Sequence, residues 1–187
     1  MPHPGFSLSH KLFVVLDRAM SELLALPEVP PPPPWRPVES GVLHIGGVLG
    51  IGFAPHPESG AELLLVASTA GRGLFDATGT RLARDRDEDA GYPHGPDLAC
   101  DGIGPLAGTR VRMAGLYGGG LHTLTDDRWR VDVIAPAWPD ERVVLSRDGD
   151  RWVVFDADVT ELRTAGFSPS GRTLVAATSS DVTLWTR

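Results

Sequence analysis

The sequence has a single cysteine, Cys100, among its 187 residues. One thiol cannot form an intrachain disulfide, so a hydrophobic core must hold the fold and a reducing compartment fits best. Basic residues are also few: Lys and Arg number 17 against 24 Asp and Glu, which gives a net charge of −7. Because nucleic-acid backbones attract positively charged surfaces, this balance argues against nucleic acid as a partner.

Long apolar runs are missing as well. Near the N-terminus, the longest run covers residues 12–16 and ends at Asp17 and Arg18. It is much shorter than the roughly 20 residues that cross a bilayer, and no small-residue cleavage site follows it. We therefore expect neither a membrane anchor nor a signal peptide, and we expect a cytoplasmic protein without a membrane partner.

Motifs for catalysis, metals and cofactors are also lacking. No serine lies in a Gly-x-Ser-x-Gly elbow, and Asp101 follows Cys100, so its charge opposes formation of the thiolate. A metal cluster of residues 92–97, Cys100, Asp101 and His122 is disfavoured because no close ligand pair exists. Residues 118–120 are three glycines before a strand, which favours a hairpin turn over a phosphate cradle. The sequence predicts no cofactor and no catalytic residue, and favours a binding module over an enzyme.

Repetition of apolar segments is the strongest positive signal. Residues 63–68 match residues 173–178, residues 73–76 match residues 182–185, and residues 152–156 add a third copy of the latter segment. Repeats of this kind predict a repeat architecture of short strands. The 22 glycines and 17 prolines, spread between the apolar runs, fit the many turns of an all-β fold.

The strands that end in Phe75-Asp76, Phe155-Asp156 or Trp185 resemble those of a WD40-like β-propeller. The resemblance implies a small, four-bladed β-propeller over residues 41–187, with about 37 residues per blade against the roughly 40–45 of the WD40 repeat. The Gly-His dipeptide of that family is missing, so the resemblance concerns architecture alone. Residues 1–40 would form a separate N-terminal region.

The predicted blades are uneven. The expected strands are 48–53, 62–68, 72–77 and 80–84 in blade one; 99–104, 110–116, 120–125 and 129–135 in blade two; 142–146, 151–156 and 160–163, after a poorly marked strand near 135–138, in blade three; and 165–167, 172–178 and 182–186 in blade four. Blade four lacks an outer strand, while residues 42–45 form a strand without a blade. Pairing the two would close the ring and cover two exposed edges.

The sequence of the N-terminal region predicts a helix followed by an extended proline-rich strap. Over residues 7–26, apolar side chains recur at spacings of three and four, which is typical of an amphipathic helix that ends before Pro27. We expect its stripe to pack on its own domain; a docking or dimerisation helix is the alternative. Residues 30–34 are five prolines, which favour an extended polyproline strap anchored by a buried Trp35. The alternative is a ligand for an aromatic-lined groove.

An acidic and aromatic surface is the candidate site. The links between blades and the turns between second and third strands would share one face of a propeller, which would collect Asp85, Asp87, Glu88, Asp89, Tyr92, His94, Tyr117 and Trp138. The acidic run lacks the spacing and the internal glycine of calcium loops. Aromatic side chains are enriched where protein partners bind. The sequence thus predicts a module that binds a basic protein, for example as an inhibitor or an immunity-type partner.

Two alternatives remain open. One is a small-ligand or glycan site at the channel mouth, binding or hydrolytic, that uses Asp87, Asp101, Asp148 or Asp150 with Tyr92. The other is a structural subunit that assembles through the helix and the strap. A pocket with paired carboxylates would favour the ligand site, and a flat acidic–aromatic face would favour the protein partner. The sequence leaves the oligomeric state open.

Overall fold

The computed structural model describes residues 22–137 and 140–187, and there the protein is mostly β. The strands in chain order are β1 (Arg36–His44), β2 (Val48–Pro55), β3 (Glu62–Ser68), β4 (Gly71–Phe75), β5 (Arg81–Asp85), β6 (Ala99–Asp101), β7 (Arg110–Arg112), β8 (Ala114–Gly115), β9 (Arg130–Ala137), β10 (Asp140–Arg147), β11 (Asp150–Asp156), β12 (Leu162–Phe167), β13 (Thr173–Thr178) and β14 (Asp181–Thr186). Short 3₁₀ turns lie at Asp89–Gly91 and Gly104–Leu106, and residues 22–24 are helical. The predicted all-β class is confirmed.

The described strands form four antiparallel sheets. We call them the first sheet (β5-β4-β3-β2-β8), the ribbon (β6-β7), the middle sheet (β11-β10-β9) and the last sheet (β1-β14-β13-β12). With five, two, three and four strands, they are unequal, and no closed propeller is seen in this part of the chain.

The first sheet contains the predicted first blade, since β2 to β5 follow one another along the chain and pair in that order. Its two central strands are apolar on both sides because both faces of the sheet are covered. Ile51 and Val66 belong to a buried cluster shared with the last sheet, whereas Leu65 and Ala67 pack with residues of the ribbon.

The predicted second blade, residues 99–135, is wrong. Its first two segments form the ribbon, β8 joins the first sheet beside β2, and the segment expected as its outer strand is β9 of the middle sheet. Glycine explains the break after β8. Gly118 and Gly119 have φ of 102° and 80°, which side chains with a Cβ rarely adopt, so the chain turns there. Residues 120–125 make only isolated bridges.

The predicted outer strand of the third blade, residues 160–163, is also wrong. The chain passes into β12 at Leu162, and β12 belongs to the last sheet. The edge of β11 is occupied by the N-terminal segment instead: the Val29 N–H donates to the Val153 carbonyl at 2.9 Å, and Glu28 bridges Val153 in parallel. The first strand of this sheet was expected near residues 135–138, but β9 already begins at Arg130.

The last sheet confirms the expected pairing of an N-terminal with a C-terminal strand. β1 is antiparallel to β14, with Val42 opposite Thr183, Leu43 opposite Val182 and His44 opposite Asp181. The strand begins at Arg36, ahead of the boundary expected after residue 40. Segments far apart in the chain therefore meet in one sheet.

The aromatic residues of the repeat are largely in the core. Phe167 is fully buried, and Phe75 and Trp185 are 7% and 6% exposed. Phe53 and Phe155 are half-buried. Phe53 packs against the buried cluster that contains Phe75, and Phe155 packs against the cluster that contains Phe167 and Trp185. The aromatic residues that match one another in the sequence repeat thus all pack in the interior.

The N-terminal segment packs on the domain in its described part. Leu23, Leu24 and Leu26 contact a buried patch of the middle sheet formed by Ile134, Val144 and Val153. The earlier part of the predicted helix, residues 7–21, lies outside the described residues.

The proline stretch does not form one straight rod. Residues 33 and 34 lie in a turn, in which the Trp35 N–H donates to the Pro32 carbonyl at 3.1 Å. The predicted anchor is confirmed, because Trp35 is 4% exposed and stacks on Phe167 with ring centroids 5.5 Å apart. The strap is thus fixed to the core.

Candidate functional site

Two tyrosines from distant parts of the chain form an exposed pair. Tyr92 and Tyr117 are 43% and 48% exposed, and their ring centroids are 6.4 Å apart at an angle of 55°. Leu116, beside Tyr117, is 46% exposed. The surface therefore offers two adjacent aromatic rings and the exposed side chain of Leu116.

Backbone contacts hold both tyrosines in place. Tyr92 follows Gly91, which is so close to the first sheet that a Cβ there would lie 2.1 Å from the Ser68 carbonyl oxygen. Tyr117 lies in a tight turn in which Gly115 and Gly118 exchange two backbone hydrogen bonds, and the Leu116 N–H donates to the Leu49 carbonyl at 2.8 Å. The aromatic pair is thus mounted on fixed backbone.

The acidic run precedes this pair, but its members differ. Arg72 donates to Asp85 at 2.5 Å, and this hydrogen bond holds the pKa of the Asp85 carboxyl below its usual range. Asp85 also accepts the Asp87 N–H at 3.0 Å, and Asp87 accepts the Asp89 N–H at 3.1 Å. Asp85 therefore fixes the start of the segment that follows β5, while Asp87, Glu88 and Asp89 are exposed.

His94 lies in a separate polar cluster. Arg110 contacts the His94 ring at 3.2 Å and donates to Asp97 at 3.0 Å, which lowers the pKa of the Asp97 carboxyl. Trp138 lies outside the described residues. We therefore define the acidic–aromatic surface as Asp87, Glu88, Asp89, Tyr92, Leu116 and Tyr117. Sequence reasoning missed Leu116, because it was assigned to the end of a strand.

A cleft of about 420 Å³ lies where β2 and β12 end, and sequence reasoning did not find it. Its walls combine apolar side chains with polar groups, and the apolar ones come from four parts of the chain: Phe53, Pro96, Leu98, Met113, Leu121, Phe167 and Pro169. Three ionisable side chains, Asp97, Arg112 and His122, line it as well. Within the described chain, the side chains of Arg112 and His122 make no hydrogen bond or ion pair.

The carboxylates of the alternative hydrolytic site have other neighbours. Asp101 lies 3.9 Å from Arg110, and Asp148 pairs with Arg128 at 2.9 Å. Asp148 and Asp150 lie at the turn between β10 and β11, whereas Asp87 lies in the acidic run that follows β5. The described residues contain no group of three His, Cys, Asp or Glu placed to hold a metal.

Cys100 is fully buried between the ribbon and the first sheet. Burial raises the pKa of its thiol to about 11, and the charge of Asp101 adds to the effect. The direction expected from the sequence is confirmed, although burial, which the sequence did not reveal, is the larger cause. The thiol is thus protonated at neutral pH and a poor nucleophile.

Among the described residues, no helix is long and apolar enough to cross a membrane. Comparison with known proteins gives no relative: no protein-family model matches the chain, and neither a curated protein nor a solved structure matches it significantly.

Proposed function

We propose that this protein is a non-enzymatic cytosolic module whose acidic–aromatic surface binds a basic protein, as an inhibitor or an immunity-type partner would. The observation that carries the proposal is the exposed Tyr92–Tyr117 pair, held on fixed backbone beside three exposed carboxylates. Nucleic acid and membranes are not proposed as partners, and no cofactor is required.

The aromatic pair would supply most of the affinity. Tyrosine buries a large apolar area for the loss of few rotamers, and it is enriched among the residues that dominate binding energy. Because Gly91 and the Gly115–Gly118 turn already fix the backbone, binding would order little additional chain.

The exposed carboxylates would act mainly on the rate of association. Charges at the rim of an interface steer a partner of opposite sign, and salt screens them over about 8–10 Å. Asp85 is already bonded to Arg72, so we expect Asp87, Glu88 and Asp89 to attract the partner.

Affinity capture from native cytosol tests the proposal, with quantitative comparison of four baits. The first is the unaltered protein, and the second carries Asp87→Asn, Glu88→Gln and Asp89→Asn. The third changes the net charge by the same amount elsewhere, through Asp126→Asn, Asp150→Asn and Asp158→Asn, which are all exposed and lie outside the acidic run. The fourth is Tyr117→Ala, which leaves the charge unchanged.

A specific basic partner should be lost from the second and fourth baits and kept by the third. In rate measurements on that partner, the second bait should associate more slowly with a weaker salt dependence. Tyr117→Ala should dissociate about tenfold faster or more, which corresponds to about 1.4 kcal/mol. Equal capture by the second and third baits, or no effect of Tyr117→Ala, would reject this surface.

We also propose that the architecture is a divergent WD40-like propeller with a reduced second blade. Three observations support this: β2 and β12 contact each other, β2 to β5 form a four-stranded meander, and β1 completes the last sheet. An experimental structure tests this proposal by showing whether rotation about a single axis relates the sheets to one another. Sheets that are not related by rotation about one axis would reject it.

The alternative of a glycan or small-ligand site built on Asp87, Asp101, Asp148 or Asp150 stays a prediction. Asp101 lies 3.9 Å from Arg110 and Asp148 lies 2.9 Å from Arg128, so each of these two carboxylates already has an arginine as a neighbour.

A further inference from the structure

The cleft at the ends of β2 and β12 has the properties of a ligand site that is separate from the acidic–aromatic surface. Its volume of about 420 Å³ lies within the range of small-molecule sites, and its walls combine apolar side chains with a few ionisable ones, as such sites do. Phe167 is fully buried behind the wall, whereas Phe53 is half-buried, so Phe53 offers aromatic surface inside the cleft.

The charge of the cleft favours an anion. Its one carboxylate, Asp97, is already bonded to Arg110 at 3.0 Å. Arg112 and His122 also line the cleft, and their side chains have no hydrogen-bond or ion-pair partner in the described chain. The charge of Arg112 also acts on Asp97 and helps to lower the pKa of that carboxyl, but no hydrogen bond joins the two side chains, so the donors of the guanidinium are available to a carboxylate or sulfonate.

The cleft is built on fixed backbone. On one side, the Phe167 N–H donates to the His122 carbonyl at 2.7 Å. On the other, Gly119 is so close to the residue before β8 that a Cβ would lie 2.2 Å from the Met113 carbonyl oxygen. The walls therefore need little ordering when a ligand enters, which favours binding.

We propose that this cleft binds a small amphipathic anion, with an aromatic or aliphatic body against the half-buried Phe53, Leu98 and Leu121 and a single acid group held by Arg112 and His122. The pocket is too small for a folded partner and is open at one side, so it would take a free metabolite-sized acid. The proposal concerns binding alone and involves no reaction.

Titration with 8-anilinonaphthalene-1-sulfonate tests the proposal, with the uncharged N-phenyl-1-naphthylamine as a second probe. We expect saturable binding of one sulfonate per chain. Gly120→Leu should weaken both probes at least tenfold, because position 120 lines the cleft and a Cβ there meets no atom within 4 Å, so the new side chain fits and fills the space.

The charge is tested separately. Arg112→Gln should weaken the sulfonate about tenfold and leave the uncharged probe within twofold, and His122→Ala should weaken the sulfonate as well. Arg81→Gln, an exposed arginine on β5, is the matched control and should change neither probe. Tyr117→Ala should also change neither, which separates this cleft from the acidic–aromatic surface.

The circular-dichroism spectrum and the urea midpoint should match those of the unaltered protein in each variant. Sulfonate binding that survives Gly120→Leu in a folded protein would overturn the proposal. So would equal losses of the two probes in Arg112→Gln, or an equal effect of Arg81→Gln. Loss of probe binding with intact capture of a basic partner would leave the acidic–aromatic surface unaffected.

Discussion

Replacing Trp35 with alanine should remove a large part of the stability of the fold. The ring is 4% exposed, stacks on Phe167 at an interplanar angle of 24°, and meets the edge of Trp129 with centroids 6.0 Å apart. The guanidinium of Arg187 lies 5.0 Å from the ring centroid. Trp35 therefore connects the strap to the core shared by the middle and last sheets.

The expected loss is about 3–5 kcal/mol, the usual range for a buried Trp→Ala change. Aromatic pairs contribute about 0.5–1.5 kcal/mol beyond area burial, and the cation–π contact about 0.5–1 kcal/mol, so a value near the top of the range is expected. Domains of this kind have about 5–15 kcal/mol in total. The indole nitrogen has no hydrogen-bond partner in the described chain, so Trp35→Phe should cost about 2 kcal/mol or less.

Urea unfolding followed by far-ultraviolet circular dichroism measures these free energies, since it does not depend on tryptophan emission. Tyr117→Ala is the exposed aromatic control and should change the free energy of unfolding by no more than about 0.5 kcal/mol. A loss below about 1.5 kcal/mol in Trp35→Ala, with an unchanged denaturant slope, would refute the role of Trp35 as an anchor.

Three further predictions concern the same fold. Deleting residues 1–46 removes β1 and uncovers the edge of β14, so we expect aggregation in light scattering; a soluble monomer that unfolds cooperatively would contradict this. Phe75→Ala should cost about 3–5 kcal/mol and Phe155→Ala less, because Phe155 is only half-buried; chemical denaturation compares them, and losses under about 1 kcal/mol at both would disprove their equivalence. Arg187 donates to Asp127 and lowers the pKa of its carboxyl, so the pair stabilises the protein above about pH 4, the unfolded value, and this contribution disappears as the pH falls through the depressed folded value. Asp127→Asn should therefore cost less than about 1 kcal/mol at pH 7, since the pair is partly exposed, and less still at pH 3; a larger cost at pH 3 would contradict the linkage.

Strand pairs with continuous apolar runs could be predicted from the sequence. Residues 63–68 and 173–178 are apolar without alternation, and each run lies next to a tight turn, so the central hairpins of the first and last sheets followed from local pattern. The strand predicted over residues 129–135 begins one residue before β9, but it was expected to pair within the second blade, whereas β9 pairs with β10. Apolar periodicity fixes that a strand forms and does not fix which edge it joins, so residues 130–137 were assigned to the wrong sheet.

The candidate surface could also be predicted only in part. Tyr92 and Tyr117 were expected on one face and lie next to each other. The bond between Arg72 and Asp85 was not foreseen, because it depends on the register in which β4 pairs with β5, which places these two residues opposite each other. The cleft was not predicted because Phe53 on β2, Arg112 on β7 and His122 in the segment after Gly120 meet only through tertiary packing.

The pairing of β1 with β14 has a consequence for synthesis in the cell. His44 and Asp181, which face each other in this pair, are 137 positions apart in the chain. At about 5–20 residues per second, β1 leaves the ribosome roughly 7 to 27 s before its partner strand is made. During that interval the backbone N–H and C=O groups of β1 lack their hydrogen-bond partners in β14. The nascent chain therefore carries an open strand edge that is covered only when the last sheet is complete.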